Sequence, residues 1–252
     1  NLTLGNLLGA WRCTPFNRMG FLPHSNVGPL SIQEMQLLKQ VNVSMGLMLE
    51  QLTPNLLKGV HRHAPSKLPS VRLQQLEWAG QLRIPFTTGL LLGIGETEDD
   101  WDETLTEIAN IHRVYGHIQE VILQPHQPGE QQKHLGQPCD DTVLLAAVKR
   151  AKAILPPDIT IQIPPNLVRS PQTILACINA GVTDLGGIGT LDEVNPTYHH
   201  QSLEKLATML NHHGYGLKPR LPIYPQYDRW LPAHLQQKLQ FWRTKLEREY
   251  KS

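Results

Sequence analysis

Cysteine is scarce in this chain, and its three cysteines, Cys13, Cys139 and Cys177, lie far apart. An odd, scattered set excludes a disulfide framework and a local cysteine metal knuckle. An excess of charge of one sign is also lacking, because 23 Lys and Arg residues face 22 Asp and Glu residues among the 252. That balance excludes the basic surface that is typical of nucleic-acid binding.

Long apolar runs are missing as well. The longest, Thr88 to Ile94, is far too short to cross a bilayer, and the first residues show no secretion pattern. With 40% hydrophobic residues, the chain can nevertheless bury one sizeable core. These observations predict a soluble, cytoplasmic, globular protein that binds neither nucleic acid nor membrane.

Apolar segments rich in β-branched residues recur between helical patterns. Their hydrophobic character is continuous rather than alternating, which is typical of strands covered on both faces. We predict strands at Val41–Glu50, Ile84–Gly93, Ile118–Gln124, Ile159–Ile163 and Thr183–Ile188. Strands and helices that alternate at this spacing favour a parallel α/β sheet.

Capping residues mark the ends of the intervening helices. Ser31 with Glu34 has the pattern of a capping box, Thr97 and Ser170 precede two further helical segments, and Gly181 suits a helix C-terminus. Further helices are predicted at Leu68–Leu82, Asp140–Leu155 and Ser202–Gly214.

The length suits a (β/α)₈ barrel, but the number of strands does not. Such a barrel takes ~250 residues, and at roughly 30 residues per βα unit only about five or six units fit the pattern. We therefore predict an incomplete (β/α) barrel with a C-terminal helix. Its divisions are an atypical N-terminal segment at 1–22, a partial barrel at 23–230 and an amphipathic helix at 231–252. In an open sheet the edge at Val41–Glu50 would be unpaired.

The turn Gly93–Thr97 is the most informative of the predicted loops at the strand ends, where α/β folds bind ligands. Gly93 and Gly95 let the backbone approach a ligand, and Glu96 can accept hydrogen bonds from a ribose or an amine. A tight βα turn that requires positive φ explains the same residues equally well. A GxGxxG fingerprint is absent, because position 98 is Glu.

Histidines and an arginine cluster in the loop after Val41–Glu50. Arg62 can bind a carboxylate through two hydrogen bonds, and neutral His61 or His63 can transfer a proton. Zinc binding is the alternative, although no third zinc-binding residue follows His61 and His63 at the usual spacing.

Several longer phrases carry a family resemblance. They are PHSNVG (23–28), VNVSMGLMLE (41–50), HRHAPSK (61–67), RIPFTTGLLLGIGET (83–97), YGHIQEVILQPHQPG (115–129), IQIPPNL (161–167) and NPTYHH (195–200). Together they resemble the radical S-adenosylmethionine enzymes, and among these the CofG-type subunits of deazaflavin (FO) synthases. The fold implied is a barrel of the radical S-adenosylmethionine type.

The resemblance implies a reaction and its cofactors. In that superfamily a [4Fe–4S] cluster on a C-x₃-C-x₂-C loop reduces S-adenosylmethionine, and the resulting radical abstracts a hydrogen atom from the substrate. Here the substrate would be 5-amino-5-(4-hydroxybenzyl)-6-(ribitylimino)uracil, and a carbon–nitrogen lyase step would close the deazaflavin ring and release ammonia. A companion subunit would make this tyrosine-derived adduct.

The resemblance also implies roles for individual residues. Those expected to bind S-adenosylmethionine are Glu50 at the ribose or methionyl part, Arg62 at the methionyl carboxylate, and Gly93, Gly95, Glu96 and Gln124 at the adenosine. Those expected to face the substrate are His24, Asn26, His61 and His63.

The C-x₃-C-x₂-C motif itself is absent from this sequence. An iron–sulfur cluster needs several thiolates, so Cys13 alone cannot hold one. We therefore expect a chain that is truncated, without cluster ligands, and inactive alone. Two alternatives stay open: a non-catalytic module that binds S-adenosylmethionine or a flavin precursor, such as half of a split barrel, and a metal-dependent barrel hydrolase that uses His61, His63 and His126.

Overall fold

The computed structural model describes residues 20–53, 56, 62, 64–128, 138–188 and 202–249. The strands are β1 (His24–Ser25), β2 (Ser44–Gly46), β3 (Phe86–Leu92), β4 (Ile118–Pro125) and β5 (Thr160–Gln162). The helices are α1 (Ile32–Lys39), α2 (Pro69–Gln81), α3 (Glu98–Tyr115), α4 (Asp141–Ile154), α5 (Pro171–Ala180), α6 (Leu203–His212) and α7 (Ala233–Glu249). Short 3₁₀ turns lie at Pro65–Lys67, Pro165–Leu167 and Pro225–Trp230.

All five strands are parallel, in the order β1-β2-β3-β4-β5. This confirms the predicted α/β fold with strands and helices in alternation. The prediction of an unpaired edge at Val41–Glu50 is wrong, because His24–Ser25 pairs with Ser44–Met45. The predicted strand at Thr183–Ile188 is reduced to one bridge, between Asp184 and Gln162.

The helix starts follow the predicted caps. Ser31 Oγ accepts the N–H of Glu34, and the Glu34 carboxylate accepts the N–H of Ser31 at 2.7 Å, which completes the capping box. Thr97 forms the same box with Asp100 at the start of α3. Ser170 caps α5, and Gly181 follows the end of that helix with φ 124°.

The two faces of the sheet differ in chemistry. The outer face packs against the helices, and its buried residues include Met45 and Leu47 of the β2 region together with Phe86, Leu90, Val121 and Leu123. Because side chains alternate along a strand, Ser44, Gly46, Thr87, Glu120 and Gln162 lie on the opposite face, which we call the inner face. These apolar side chains thus lie on one side of the sheet, as in a barrel wall.

The C-terminal region forms a second apolar cluster against the start of β2. It contains Val43, Leu221, Ile223, Tyr227, Leu231, Leu235 and Leu239. The cluster joins α7 to the sheet through the segment that precedes it. The predicted divisions at 23 and 230 stay predictions, and residues 1–19 of the atypical N-terminal segment lie outside the described residues.

Candidate functional site

Glu50 lies where the chain leaves β2, in a backbone conformation unusual for a side-chain-bearing residue. Its φ is 66°, and its N–H donates to the Gly89 carbonyl at 2.8 Å. Lys67 and Arg72 both donate to its carboxylate, and Arg72 also donates to the Met48 carbonyl. Burial and the charge of Arg72 lower the pKa of Lys67 to about 8. A positive φ at a buried acidic residue is a local strain of the kind concentrated at functional sites.

The turn after β3 lies at the end of the strand next to β2. Gly93 has φ 85° and Gly95 has φ 110°, and both are exposed. The Glu96 carboxylate folds back into the turn and accepts the N–H groups of Gly93 at 2.6 Å, Ile94 at 2.8 Å and Trp101 Nε1 at 3.0 Å. Glu96 therefore fixes the shape of the turn, and the glycine backbone is the part presented to solvent.

The carboxyl end of β4 lies beside these two strand ends. Gln124, which is half-buried, pairs in register with Leu91 of β3. His126 follows; its N–H donates to the Leu92 carbonyl, and its own carbonyl accepts the N–H of Cys139. Burial lowers the pKa of His126, while the charge of Glu96 acts in the opposite direction. Glu50, the Gly93 turn and Gln124 thus stand at the carboxyl ends of three adjacent strands.

A polar network crosses the inner face nearer the start of the strands. Glu120 accepts hydrogen bonds from Thr87 Oγ1 at 2.6 Å, Gln162 Nε2 at 3.1 Å and Arg220 at 2.6 Å. Asp184 accepts from Gln162 at 3.1 Å, from Tyr224 Oη at 2.9 Å and from Arg220. We call Thr87, Glu120, Gln162, Asp184, Arg220 and Tyr224 the polar network.

Charge and burial compete in the polar network. Burial raises the pKa of Glu120, although Arg220 and the Thr87 hydroxyl oppose it. Burial alone would also raise the pKa of Asp184, but the hydrogen bond and positive charge of Arg220 lower it overall. Burial and the two carboxylates raise the pKa of Tyr224. Two acids around one guanidinium leave a polar surface with an excess of acceptors, which is suited to hydroxyl and N–H donors.

Sequence comparison identifies the relatives of this arrangement. The chain is 62% identical over 225 residues to the 7,8-didemethyl-8-hydroxy-5-deazariboflavin synthase of Trichormus variabilis, and the alignment covers 89% of this chain and 66% of that protein. It is 57% identical over 228 residues to the synthase of the same name from Trichodesmium erythraeum, which covers 90% of this chain and 72% of that one. The chain belongs to this synthase family.

Family membership confirms the resemblance found in the sequence. The chain spans about two thirds of the length of the first two curated relatives, at 66% of each. A scan against protein-family models found no match. Among solved structures, the fold is similar to the FeFe-hydrogenase maturase HydG from Carboxydothermus hydrogenoformans, with a TM-score of 0.69 over 91% of this chain and 61% of that chain. At 16% identity this likeness concerns the fold alone.

The structure brings together some of the predicted site residues of this synthase-family chain. Five of them lie at the carboxyl ends of adjacent strands: Glu50, Gly93, Gly95, Glu96 and Gln124. His24 and Asn26 lie at the end of β1, and both are exposed. Arg62 is exposed, while His61 and His63 lie outside the described residues. The ligand roles of all these residues stay predictions.

The polar network was not identified from the sequence. Its signal was present, since Thr87, Glu120 and Gln162 are polar residues inside strands that otherwise read as buried and apolar. The partners Arg220 and Tyr224 come from a Pro-rich segment about which the strand pattern says nothing. Only the fold places Arg220 beside Glu120, 100 positions away in sequence.

Proposed function

We propose that this chain supplies the binding barrel of a radical S-adenosylmethionine deazaflavin synthase. The reaction closes the 5-deazaflavin ring of 5-amino-5-(4-hydroxybenzyl)-6-(ribitylimino)uracil and releases ammonia. The observation that carries the proposal is the 62% identity to relatives named for the product of this reaction. The companion subunit that makes the adduct is the proposed partner, and it delivers a small polar substrate to the inner face.

The strand-end residues fit S-adenosylmethionine. A Cβ added at Gly95 would meet nothing nearer than Leu56 Cδ2 at 3.9 Å, so a ligand can approach the backbone closely there. In the proposal Gly93, Gly95 and Gln124 border the adenosine. Glu50 accepts hydrogen bonds from the ribose or methionyl part, and Arg62 binds the methionyl carboxylate. Glu96 keeps the turn in shape. S-adenosylmethionine held there would supply radical chemistry for hydrogen abstraction only with an electron from a donor outside the described residues.

An iron–sulfur cluster does not fit the described residues. Cys139 and Cys177 are both buried, and burial raises the pKa of each thiol to about 11, whereas cluster ligation needs thiolates. Among the residues that the structure describes, no three His, Cys, Asp or Glu side chains form a group able to hold a metal. The proposal therefore assigns this part of the chain to binding, and it routes no step through a cluster.

The inner face fits the substrate. A ribityl chain and a uracil offer several O–H and N–H donors and carbonyl acceptors, and the polar network offers carboxylates, a guanidinium, a phenol and an amide. Glu120 is buried, at 5% exposure, so its hydrogen bonds are protected from water.

Equilibrium binding tests the proposal. The 252-residue chain is titrated with S-adenosylmethionine by calorimetry and with the fluorescent product, 7,8-didemethyl-8-hydroxy-5-deazariboflavin, by anisotropy. We expect both compounds to bind. Gly95→Val should lower the affinity for S-adenosylmethionine at least tenfold, because a side chain at φ 110° is strained and fills the space through which the ligand approaches the backbone. Gly216→Val, at a position with open space, is the matched control and leaves the affinity unchanged.

Two results would contradict the proposal. One is that neither compound binds the folded wild-type chain. The other is stoichiometric zinc in the purified chain together with no binding of S-adenosylmethionine, which would support a metal-dependent hydrolase instead.

A further inference from the structure

His24 stands on the inner face, at the first strand of the sheet. Its partner strand β2 alternates, with Met45 in the apolar core against the helices and Ser44 on the opposite side. His24 Nδ1 lies 2.8 Å from Ser44 Oγ, and the residue keeps some exposed surface. Burial of the ring, with a smaller contribution from the charge of Arg220, lowers the pKa of His24 to about 4. The imidazole is therefore neutral at pH 7 and held at one nitrogen.

The hydrogen-bond chain behind His24 fixes which nitrogen carries the proton. The Pro222 carbonyl can only accept, and Ser44 Oγ lies within hydrogen-bond distance of it. In this hydrogen bond the Ser44 hydroxyl is therefore the donor, and its single hydrogen is committed to Pro222. Ser44 Oγ is then an acceptor toward His24, and Nδ1 must be the N–H donor.

The other ring nitrogen is consequently an acceptor. In the neutral imidazole one nitrogen carries hydrogen and the other a lone pair, so Nδ1–H leaves Nε2 with the lone pair. Nε2 lies over Gly46, where an added Cβ would come within 3.1 Å of it. Glycine at this position thus leaves room for the ring beside the strand.

We propose that the Pro222 carbonyl and the Ser44 hydroxyl are a positioning pair that locks His24 in the Nδ1–H tautomer, so that Nε2 accepts a hydrogen bond from an N–H or O–H group of the substrate. This inference rests on the proposed function, since it names the substrate donor that the inner face receives. It goes further by giving His24 one role, acceptor, and by giving Ser44 and Pro222 a part in binding. An acceptor that loses its water when the ligand binds discriminates against analogues that lack the donor.

The tautomer is read directly by nitrogen NMR of the ¹⁵N-histidine-labelled chain, with His24 assigned from a His24→Gln sample. We expect wild-type His24 to show a protonated Nδ1 and an unprotonated Nε2 at neutral pH. In Ser44→Ala the lock is gone, and we expect the Nε2–H form to become the major one. Thr88→Ala, which removes a buried strand hydroxyl that accepts from Leu49 N–H instead, is the matched control and leaves the His24 signals unchanged.

Ligand titration then tests the acceptor role. Added 7,8-didemethyl-8-hydroxy-5-deazariboflavin should shift the His24 Nε2 resonance in the wild type, and its dissociation constant should rise about tenfold in Ser44→Ala but not in Thr88→Ala. Ser44→Thr, which restores a hydroxyl, should recover the wild-type tautomer. If Ser44→Thr does not fold, the wild-type tautomer and its response to ligand still decide.

The outcomes separate this inference from the proposed function. A wild-type His24 protonated at Nε2 overturns the inference even if the deazaflavin binds. The inference is also overturned if the deazaflavin binds to a chain with the Nδ1–H tautomer but the His24 Nε2 resonance does not shift. Failure of the deazaflavin to bind at all contradicts the proposed function, and the acceptor role falls with it.

Discussion

Gly89 lies in the middle of β3, where a side chain would collide with the neighbouring strand. A Cβ built there falls 2.2 Å from the Ile122 carbonyl oxygen and 2.8 Å from Met48 Cε. The carbonyl belongs to the β-ladder and cannot move without breaking it. We expect Gly89→Ala to lower the free energy of unfolding by about 3 kcal/mol, the upper end of overpacking effects. Urea denaturation measures the change.

The control for this substitution is Gly216→Ala. An added Cβ at Gly216 meets no heavy atom within 4 Å, so the same chemical change should leave the denaturation midpoint unchanged within error. An unaltered midpoint in Gly89→Ala would show that β3 and β4 do not approach as closely as the structure has them.

His117 is a buried titratable residue on the outer face, between the rings of Phe86 and Tyr115. Burial, with a smaller contribution from His112, lowers its pKa to about 3. An unfolded chain protonates this histidine below about pH 6.5 while the folded chain does not, so acid favours unfolding across that window. We expect the wild type to lose unfolding free energy between pH 7 and pH 5. In His117→Phe this loss should be smaller by about 1–2 kcal/mol.

Denaturation curves at the two pH values measure this difference. His212→Phe, the same substitution at an exposed histidine, provides the comparison. An equal pH dependence in His117→Phe and wild type would contradict a neutral buried His117.

At the residue scale, the sequence is informative about local chemistry and silent about distant partners. The role of Ser31 as a helix cap was predictable because its partner Glu34 is three positions away. The sequence predicts that Glu96 accepts from a ligand, which stays a prediction; the structure shows that its carboxylate also accepts from Gly93, Ile94 and Trp101. The pattern showed an acceptor beside a turn, but the direction of the side chain depends on the path of the backbone.

At the element scale, helices were predicted more closely than strands. The helix predicted at Leu68–Leu82 spans Pro69–Gln81, because caps and apolar spacing are local signals. The strand predicted at Val41–Glu50 shortens to Ser44–Gly46, and β1 has only two residues. A strand extends only as far as its neighbours offer hydrogen bonds, and that length is not written in its own residues.

The C-terminal helix α7 offers a test of how one element is attached. Leu235 is fully buried in the cluster that joins α7 to Val43, whereas Phe241 on the same helix is 63% exposed. We expect Leu235→Ala to cost about 2–5 kcal/mol of unfolding free energy, through lost burial and the cavity that remains. Thermal and urea unfolding, followed by circular dichroism, measure this cost.

Phe241→Ala is the matched variant within the same helix. It removes a larger apolar side chain that is mostly in water, so its effect should be below about 1 kcal/mol. Equal effects of the two substitutions would mean that α7 does not pack on the sheet through Leu235.

At the scale of the whole molecule, counting strands was more informative than length. The 252 residues suit a complete barrel, but the predicted pattern supplied about five or six units, and the structure describes five parallel strands. The polar strand residues of the inner-face network could be noticed in the sequence, but their joining to the segment around Arg220 could not be predicted. Those contacts exist only once the strands are placed side by side.

The cysteine content leads to a prediction about the whole polypeptide. A cluster needs several thiolates close together, and this sequence offers Cys13, Cys139 and Cys177 without the C-x₃-C-x₂-C spacing. Cys139 and Cys177 are buried, with thiol pKa values raised to about 11. We therefore expect the 252-residue polypeptide, incubated anaerobically with iron and sulfide, to retain far less than one cluster per chain.

Iron and sulfide analysis, visible absorbance, and an assay for 5′-deoxyadenosine with S-adenosylmethionine and dithionite measure the outcome. The double variant Cys139→Ser with Cys177→Ser is the control, since any adventitious iron on these thiols should disappear in it while binding of S-adenosylmethionine persists. Because the strand-end residues that we assign to the cofactor include no cysteine, binding and reduction separate cleanly in this polypeptide. Stoichiometric cluster with formation of 5′-deoxyadenosine would contradict that separation and would require thiolate ligands that the buried positions of Cys139 and Cys177 do not offer.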